Sequence, residues 1–434
     1  MKKNYQTTSR VGSTSLEDQL PSSVSVTMAE LAGTMREGLL ALAVGVGFQV
    51  MDAILEESVT ALAGPKGRHD PGRTAVRHGT GRGSVVLGGR KVSVKRPRVR
   101  SADGTSELCV PAYELFSSTD QLEELTLNKM LAKLSCRRYR AGLEPVGEAV
   151  QAAARSTSKS AVSRRFVKAT ETALAELMAA DLSELDLVAM MIDGVYFGEH
   201  LCVVALGIAL DGTKHPLGLV EGSTENTTTV TDLLGGLRDR GLDTERPMLF
   251  VLDGSKALRA GVLKVFSRPV LARCQLHKIR NVEARLPKAT AKVVANKMRA
   301  AYAMATPLEA EAALEDLARQ LSASHPGAAG SLREGLDDTL TVLRLGVPPM
   351  LARTLRSTNA VESMIEICRD HSRNVKRWRD GQMALRWCAA GMVEAKKQFR
   401  RVNGHQHLAT LKKALESQFQ ETVTAPREDE HQAA

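Results

Sequence analysis

The segment from residue 185 to residue 276 alternates strand-like and helix-like patterns in an order that few folds accommodate. The apolar run LDLVAMMIDGVYF is followed by two more strand-like runs on either side of the turn Asp211-Gly212. An amphipathic segment, the run RPMLFVLD, a second amphipathic segment and the run PVLARCQL come next. The predicted order is therefore three meandering strands, helix, strand, helix and strand.

This order favours a ribonuclease-H-like sheet over a doubly wound one, which would lack the initial meander. A chain of 434 residues is also too long for one core. We therefore predict an α+β multidomain protein. Its N-terminal region is helical with a β-hairpin, and a mixed-sheet domain follows.

Two acids end strands of this predicted sheet. Asp193 and Asp253 each follow an apolar run and precede a glycine, a pattern that turn chemistry alone also produces. In a ribonuclease-H-like sheet the first and fourth strands are neighbours, so the two carboxylates would meet. Mg²⁺ prefers oxygen ligands, and two-metal phosphoryl transfer needs two or three converging carboxylates. A third acid is expected from a later helix.

The motif STNAVESMIE offers two candidates for that third acid, Glu362 and Glu366. An apolar stripe predicts the buried face of this helix, and a polar set falls on another face. The stripe comprises Val361, Met364, Ile365 and Cys368, and the polar set comprises Asn359, Glu362, Glu366, Arg369 and Arg373. Periodicity does not choose between the glutamates, and both could simply pair with arginines along the helix.

Positive charge is concentrated in one window. The net charge is +10, and between Lys66 and Arg100 there are eleven Lys or Arg residues against one acid, Asp70. Within this window SVVLGGRKVSVKRP predicts a hairpin on a Gly-Gly turn. The hairpin is either a solvated basic surface or a contact for nucleic-acid phosphates. The candidate DNA contacts here are Arg82, Arg90, Lys91, Lys95, Arg96, Arg98 and Arg100.

A second candidate DNA-binding element lies in STSKSAVSRRFVKATETALAEL, where Ser156 or Ser158 could cap a helix. A short turn followed by such a helix is typical of a helix-turn-helix motif that recognises DNA. Ordinary packing of helices explains the same pattern equally well. The candidate contacts on its polar side are Ser163, Arg164, Arg165 and Lys168. A third basic group follows the acidic helix and consists of Arg373, Lys376, Arg377 and Arg379.

Cysteine usage and hydropathy indicate the compartment. Six cysteines occur without a CxxC pair, which argues against a disulfide framework and fits a reducing environment. The N-terminus lacks a signal-peptide apolar region, and no 18-residue apolar run occurs. We expect a soluble cytoplasmic protein without a membrane partner.

Five spaced motifs together resemble the Mutator-like transposases of bacterial insertion sequences. They are MIDG at Asp193, VLDG at Asp253, CQLHKIRNV at Cys274–Val282, STNAVES around Glu362, and Arg386-Trp387. The resemblance implies that Asp193, Asp253 and Glu362 are a catalytic, metal-holding DDE triad. It also implies that Glu366 lies on the surface or behind the site.

The resemblance further implies Mg²⁺-dependent cleavage at transposon ends and joining of a DNA 3′-OH to target DNA. Two Mg²⁺ ions, or Mn²⁺ in their place, would serve at the triad. The expected partners are double-stranded DNA, as terminal inverted repeats and target, and further copies of the chain in a dimer or larger synaptic assembly at the nucleoid. The alternatives are a non-catalytic helix-turn-helix regulator, a nuclease without strand transfer, and a decayed copy.

Four further residues of the resembling motifs lie outside the triad. Cys274 and His277 have CxxH spacing but no second Cys/His pair nearby, so a structural or DNA-proximal role is preferred over zinc. Asn359 belongs to the same signature as Glu362. Trp387 belongs to the core by default, and the resemblance adds a possible role in stacking on DNA or supporting the site.

The predicted boundaries divide the chain into eight segments. The all-α insertion among them is implied by the resemblance and agrees with the helical pattern of its sequence. The segments are a disordered tail (1–25), a helical region (26–64), the basic hairpin region (65–118), a helix-turn-helix-like domain (119–182), the first part of the core (183–279), the insertion (280–352), the second part of the core (353–418) and a polar tail (419–434).

Overall fold

A computed structural model describes residues 39–424 apart from residues 69, 71 and 145. The chain divides into two compact units, Met1–Phe166 and Val167–Ala434. The predicted tail 1–25, the start of the region 26–64, and residues 425–434 lie outside the described residues.

The first unit is built on a hairpin and a helix. Strands β1 (Ala75–Leu87) and β2 (Arg90–Ser101) pair antiparallel, and a short β3 (Glu107–Leu108) extends the sheet. Leu87 pairs with Arg90, so Gly88 and Gly89 form the turn, and both have the positive φ that such a turn needs. The predicted Gly-Gly hairpin is confirmed.

Helix α1 (Leu39–Ala63) packs on this sheet with residues spaced four apart. Met51, Leu55, Val59 and Ala63 are all buried against residues of β1, β2 or the segment after them. This spacing places them on one face of a helix. Burial of that face joins the N-terminal helix to the hairpin.

Four further helices lie between the hairpin sheet and residue 180 in the described part of the chain. They are α2 (Pro111–Ser117), α3 (Asp120–Leu131), α4 (Glu148–Ala153) and α5 (Lys159–Ala179), with a 3₁₀ turn at Arg140–Gly142. The Ser158 hydroxyl accepts a hydrogen bond from the N–H of Ala161 at 3.3 Å, which satisfies a donor in the first turn of α5. The predicted cap is confirmed at Ser158, whereas DNA reading by this region stays a prediction.

The second unit contains a five-stranded mixed sheet in the order β6-β5-β4-β7-β8. β4, β5 and β6 form an antiparallel meander, and β7 and β8 run parallel to β4. The α+β class and the predicted strand order are confirmed. The strands are β4 (Leu187–Phe197), β5 (His200–Ala209), β6 (Lys214–Gly222), β7 (Met248–Leu252) and β8 (Pro269–Arg273).

Helices cover both faces of this sheet, which explains why its strands are apolar runs rather than alternating ones. Successive residues of β4 enter opposite cores: Met191 lies in one, and Met190 and Ile192 lie in the other. One face carries α6 (Thr227–Asp239) and α7 (Lys256–Val265). The other carries α14 (Asn359–Ser372), α15 (Gly381–Gln398) and α16 (Leu408–Thr424). Helix α16 continues past the predicted boundary at residue 418.

Between β8 and α14 the described chain is helical, as the sequence predicts for this segment. Most of these helices bury their own core around Met298, Leu314 and Leu340. The helices are α8 (Gln275–Glu283), α9 (Lys288–Ala301), α10 (Pro307–Ser322), α11 (Pro326–Arg333), α12 (Leu336–Arg344) and α13 (Pro349–Leu355). Among the described residues, we find no helix with the length and apolar character needed to cross a membrane.

Candidate active site

Asp193 and Asp253 lie at the same level of the sheet. In the parallel pairing of β4 with β7, Met191 is the partner of Val251, and each aspartate comes two residues later. Gly194 donates its N–H to Asp193 Oδ1, and Ser255 donates its N–H to Asp253 Oδ1, both at 2.8 Å. Asp253 directly follows the last residue of β7, as predicted, but the prediction that Asp193 ends its strand is wrong, because β4 continues to pair with β5 as far as Phe197. The register and these hydrogen bonds hold the two carboxylates just beyond the point where the pairing of β4 with β7 ends.

The chain turns sharply after Asp253, and Gly254 makes the turn possible. Its φ of +108° is one that residues with a side chain rarely adopt. A Cβ at this position would also collide with the guanidinium of Arg273. The glycine after the second aspartate therefore has a structural role of its own.

Helix α14 brings Glu362 to the same place. Its predicted stripe of Val361, Met364, Ile365 and Cys368 is buried against the sheet. Glu362, whose side chain is 31% exposed, lies within 4.8 Å of ligand atoms of Cys274 and His277, whereas Glu366 is exposed. Of the two glutamates, Glu362 is the one that the structure brings to the aspartates.

The charges of these groups act on Asp193. The pKa of the Asp193 carboxyl is raised to about 6, mainly by burial and also by the nearby carboxylates of Asp253 and Glu362. The N–H of Gly194 and the imidazole of His277 oppose this shift of the pKa. Three carboxylates that repel one another and have one imidazole beside them form a site with excess negative charge.

A divalent cation would relieve this repulsion. The donor set consists of carboxylate oxygens, which are the ligands that Mg²⁺ and Mn²⁺ prefer. Asp193, Asp253 and Glu362 therefore fit such an ion by the chemistry of their donor atoms.

Cys274, His277 and Glu362 also approach one another, and their ligand atoms lie within 4.8 Å of each other. This is a possible metal site by spacing alone. However, Thr358 Oγ1 lies 2.7 Å from Glu362 Oε1, 3.4 Å from Cys274 Sγ and 3.4 Å from His277 Nδ1. The Thr358 hydroxyl is therefore within hydrogen-bonding distance of all three side chains. It occupies the bridging position that a metal ion bound by these three residues would take.

These contacts also change how Cys274 titrates. Burial alone would raise the pKa of this thiol, but hydrogen bonds with His277 and Thr358 lower it overall. The hydrogen bond with Cys274 is the largest cause that raises the pKa of His277. The CxxH pair is therefore an electrostatic unit beside Glu362.

Glu225 is a fourth carboxylate that the sequence interpretation missed. A Cβ built on Gly194 would lie 3.1 Å from Glu225 Oε2, so this carboxylate covers the residue after Asp193. Burial raises the pKa of Glu225, a hydrogen bond with Ser255 lowers it, and Asp253 raises it again. Only its position before the helix signal Asn226 is visible in the sequence, and that signal does not indicate a site.

The predicted DNA contacts of the hairpin differ in exposure. Arg82 and Lys95 are exposed and are cross-strand partners in the hairpin. Lys91, Arg96, Arg98 and Arg100 are half-buried, and both Arg96 and Arg98 form ion pairs with Glu107.

Arg90 requires a correction. Its side chain is 1% exposed and donates to the carbonyl of Glu144 at 2.7 Å. A guanidinium enclosed in this way has no access to a phosphate, so we assign Arg90 to the interior of the first unit.

Helix α5 presents Ser163, Arg164 and Lys168 to solvent. Arg165 is half-buried instead. Its guanidinium lies over the Tyr139 ring and donates to the carbonyl of Ser156 at 2.7 Å. Arg165 therefore packs within the first unit rather than on its surface.

The third basic group, Arg373, Lys376, Arg377 and Arg379, is exposed after α14, and Arg379 pairs with Asp380 at 2.7 Å. Trp387 is 5% exposed and packs edge-on against Trp378 at 6.4 Å between ring centroids. This burial favours a role in the core or in support of the site, and it is at odds with base stacking. Asn359 is exposed in the first turn of α14.

Comparison with known proteins identifies the class. The family model described as "Transposase, Mutator family" matches residues 27–402, which is most of the chain. The chain therefore belongs to the Mutator family of transposases, and the predicted resemblance is confirmed.

Individual relatives agree with this family. The chain is 25% identical over 366 residues to the transposase for insertion sequence element ISRM5 of Rhizobium meliloti, covering 84% of this chain and 90% of that protein. It is 29% identical over 191 residues to the transposase for IS6120 of Mycolicibacterium smegmatis, covering 43% and 58% of the two chains. It is 25% identical over 250 residues to the transposase for IS256 in Tn4001 of Staphylococcus aureus, covering 55% and 63%.

Proposed function

We propose that this protein is an insertion-sequence transposase that cuts and joins DNA strands, with Asp193, Asp253 and Glu362 as a DDE triad. The observation that carries the proposal is the convergence of these three carboxylates just beyond the point where the pairing of β4 with β7 ends. Membership of the Mutator family and the names of the similar proteins support it.

We also propose that the second unit is a ribonuclease-H-like domain with an all-α insertion. Strand order β6-β5-β4-β7-β8, with the first three strands antiparallel, supports this fold. The helices between β8 and α14 would then be the insertion. In this fold the first and fourth strands are adjacent, which is what brings Asp193 and Asp253 together.

In the proposed mechanism the three carboxylates hold divalent cations, Mg²⁺ or Mn²⁺. When bound, such ions supply the Lewis-acid chemistry of an in-line displacement at phosphorus. Asp193 must lose its proton before it can act as a ligand, because its pKa is raised to about 6. The backbone N–H groups of Gly194 and Ser255 fix one oxygen of each aspartate and so orient the carboxylates.

Thr358 acts in this mechanism as a positioning residue for Glu362. A hydroxyl has one hydrogen, and the Glu362 carboxylate at 2.7 Å is its strongest acceptor. The backbone N–H of Thr358 donates to Cys274 Sγ at 3.5 Å, and the hydroxyl oxygen lies 3.4 Å from His277 Nδ1 and 3.4 Å from Cys274 Sγ. The CxxH pair would thus hold Thr358, and Thr358 would hold Glu362.

DNA is the proposed substrate and partner. Exposed Arg82 and Lys95 oppose each other in the hairpin, an arrangement of like charges that an anionic ligand would stabilise. Binding of transposon ends and assembly of two copies around them are part of the same proposal.

The test uses labelled DNA carrying the element's own ends and measures binding, Mg²⁺-dependent cleavage and strand transfer. We expect Asp193→Asn, Asp253→Asn and Glu362→Gln to bind DNA but not to cut it. Glu366→Gln is the matched control on the same helix and should still cut. Binding by the wild type without cleavage under any divalent cation would support a regulator or a decayed copy instead, and cleavage without joining would support a nuclease.

A further inference from the structure

A pocket in the second unit lies beside the proposed triad. It is bounded by the N-terminal ends of α8 and α14, the end of α13 and the end of α9, with Gln275, Asn359, Arg356 and Arg299 among its walls. Asn359 stands three residues before Glu362, and Gln275 follows Cys274 directly. Residues three apart on a helix share a face, so the pocket and the carboxylates share a wall.

The charge of this pocket is one-sided. Arg299, Arg353 and Arg356 line it, and no acid is among its lining residues in the described part of the chain. A neighbouring pocket beside Gly254 offers a comparison, because its three cations are matched by three acids. Those residues are Lys256, Arg259 and Arg273 with Glu334, Asp337 and Asp338.

The arginines of the first pocket keep their charge available. All three are exposed, and Arg299 donates to the amide oxygen of Asn296, a neutral group, at 3.0 Å. The ion pairs found between residues 39 and 424 include neither Arg353 nor Arg356. Three guanidinium groups around one cavity repel one another unless an anion lies between them.

The helix ends add to this preference. Helices α8 and α14 both begin at the pocket, at Gln275 and Asn359, and a helix N-terminus carries a partial positive charge. Guanidinium forks match phosphate oxygens in geometry as well as in charge.

We infer that this pocket binds a backbone phosphate of the DNA strand that passes the three carboxylates. The inference rests on the proposed function, because the phosphate belongs to the DNA that is the proposed substrate. Its role is to fix the strand next to the bond that reacts, with Arg353 and Arg356 as the principal contacts and Arg299 as a third.

The experiment measures DNA binding without divalent cations, so that catalysis does not enter. A set of end duplexes carries a single uncharged methylphosphonate linkage at successive positions around the cleavage site. In the wild type we expect one position near that site to weaken binding by roughly 10- to 100-fold, the effect of losing a charge-assisted hydrogen bond. In the double variant Arg353→Ala/Arg356→Ala, a methylphosphonate at the same position should no longer weaken binding, whereas substitution at other contacted positions should still weaken it.

The controls separate loss of contact from loss of fold. Arg319→Ala removes one exposed charge on α10, where Arg319 pairs with Asp316, and should leave the sensitive position unchanged. Arg353→Lys/Arg356→Lys keeps the positive charge, so its DNA binding should retain part of the sensitivity to the methylphosphonate at that position. This variant replaces the double alanine variant if the latter is unstable. An unchanged sensitive position in the double alanine variant would overturn the inference, as would a wild type with no sensitive position.

Two further outcomes are distinguishable. If inorganic phosphate raises the melting temperature of the wild type but not of the double variant, and no methylphosphonate matters, the pocket binds free anions and the assignment to DNA is wrong. If the sensitive position is present but the triad variants still cut DNA, the pocket stands and the proposed triad fails.

Discussion

Asp193 and Asp253 each lie two residues beyond Met191 and Val251, the last paired residues of the neighbouring parallel strands β4 and β7. This register brings two carboxylates together without any ion in place, and Glu362 approaches from α14. Bringing these charges together disfavours the charged form of Asp193, whose pKa is raised to about 6 with burial as the largest cause. A site of this kind is destabilising for the free protein and favourable once a cation binds.

The first prediction concerns stability against pH without metal. The folded-state pKa of Asp193 is above its usual value of 3.8, so its contribution to stability is complete below about pH 4 and is lost as the pH rises through about 6. Asp193→Asn should therefore raise the free energy of unfolding at pH 7.5 by up to about 3 kcal/mol, with the gain disappearing near pH 4. Urea unfolding in a chelator across this range measures it.

The exposed Asp239→Asn is the control for this effect and should show little dependence on pH in the same interval. A gain for Asp193→Asn that is equal at pH 4 and pH 7.5 would contradict the electrostatic explanation.

The second prediction concerns Thr358. Thr358→Val keeps the shape of the buried side chain but removes the donor to Glu362, so we expect cleavage to fall by roughly 10- to 100-fold with a higher Mg²⁺ requirement. Thr358→Ser keeps the hydroxyl and should stay within a few-fold of the wild type. The thermal stabilisation by Mn²⁺ gives a readout independent of turnover and should weaken in the valine variant only.

Zinc analysis of the purified protein tests the rival interpretation of the same residues. We expect less than stoichiometric zinc, because Thr358 already bridges Cys274, His277 and Glu362. One zinc per chain that is lost in Cys274→Ser would show that these residues form a metal site instead.

The third prediction concerns Glu225. Its carboxylate lies over Gly194 and forms a hydrogen bond with Ser255, so it adds negative charge beside Asp193 and Asp253. We expect Glu225→Gln to reduce cleavage about 10-fold, less than loss of a triad member, and to weaken stabilisation by Mn²⁺. The exposed Glu199→Gln in the same unit is the matched control, and equal behaviour of the two variants would exclude a role for Glu225.

The fourth prediction separates exposed from buried cations in the hairpin. Arg82→Ala/Lys95→Ala should make the slope of log K for DNA against log salt less negative by about 2, since each phosphate contact contributes roughly 0.9. Arg90→Met removes one buried charge and should leave that slope unchanged. Titrations at several salt concentrations measure both. An effect of Arg90→Met on the slope equal to that of an exposed residue would show that Arg90 reaches DNA.

The order of the strands, the Gly-Gly hairpin and the buried stripe of α14 could be predicted because each depends on a local pattern. Apolar residues recur every two residues in a strand and every 3.6 residues in a helix, and turns need particular residue types. Each of these signals is visible within a short stretch of sequence. The placement of Asp193 beside Asp253 followed from the predicted strand order, which makes β4 and β7 neighbours. The position of Asp193 inside β4 was not predicted, because it depends on how far β4 pairs with β5.

Periodicity did not distinguish Glu362 from Glu366, and only the family resemblance favoured Glu362. Which of them approaches the aspartates depends on tertiary packing, because the two glutamates share one face of α14 and differ in what lies opposite them. The same holds for Thr358 and Cys274, which are 84 residues apart in sequence, and for Glu225 above Gly194. Burial of Arg90 was equally hidden, since a basic residue in a pattern does not reveal what packs over it. Local sequence encodes the periodicity of an element, whereas long-range packing determines which side chains its faces meet.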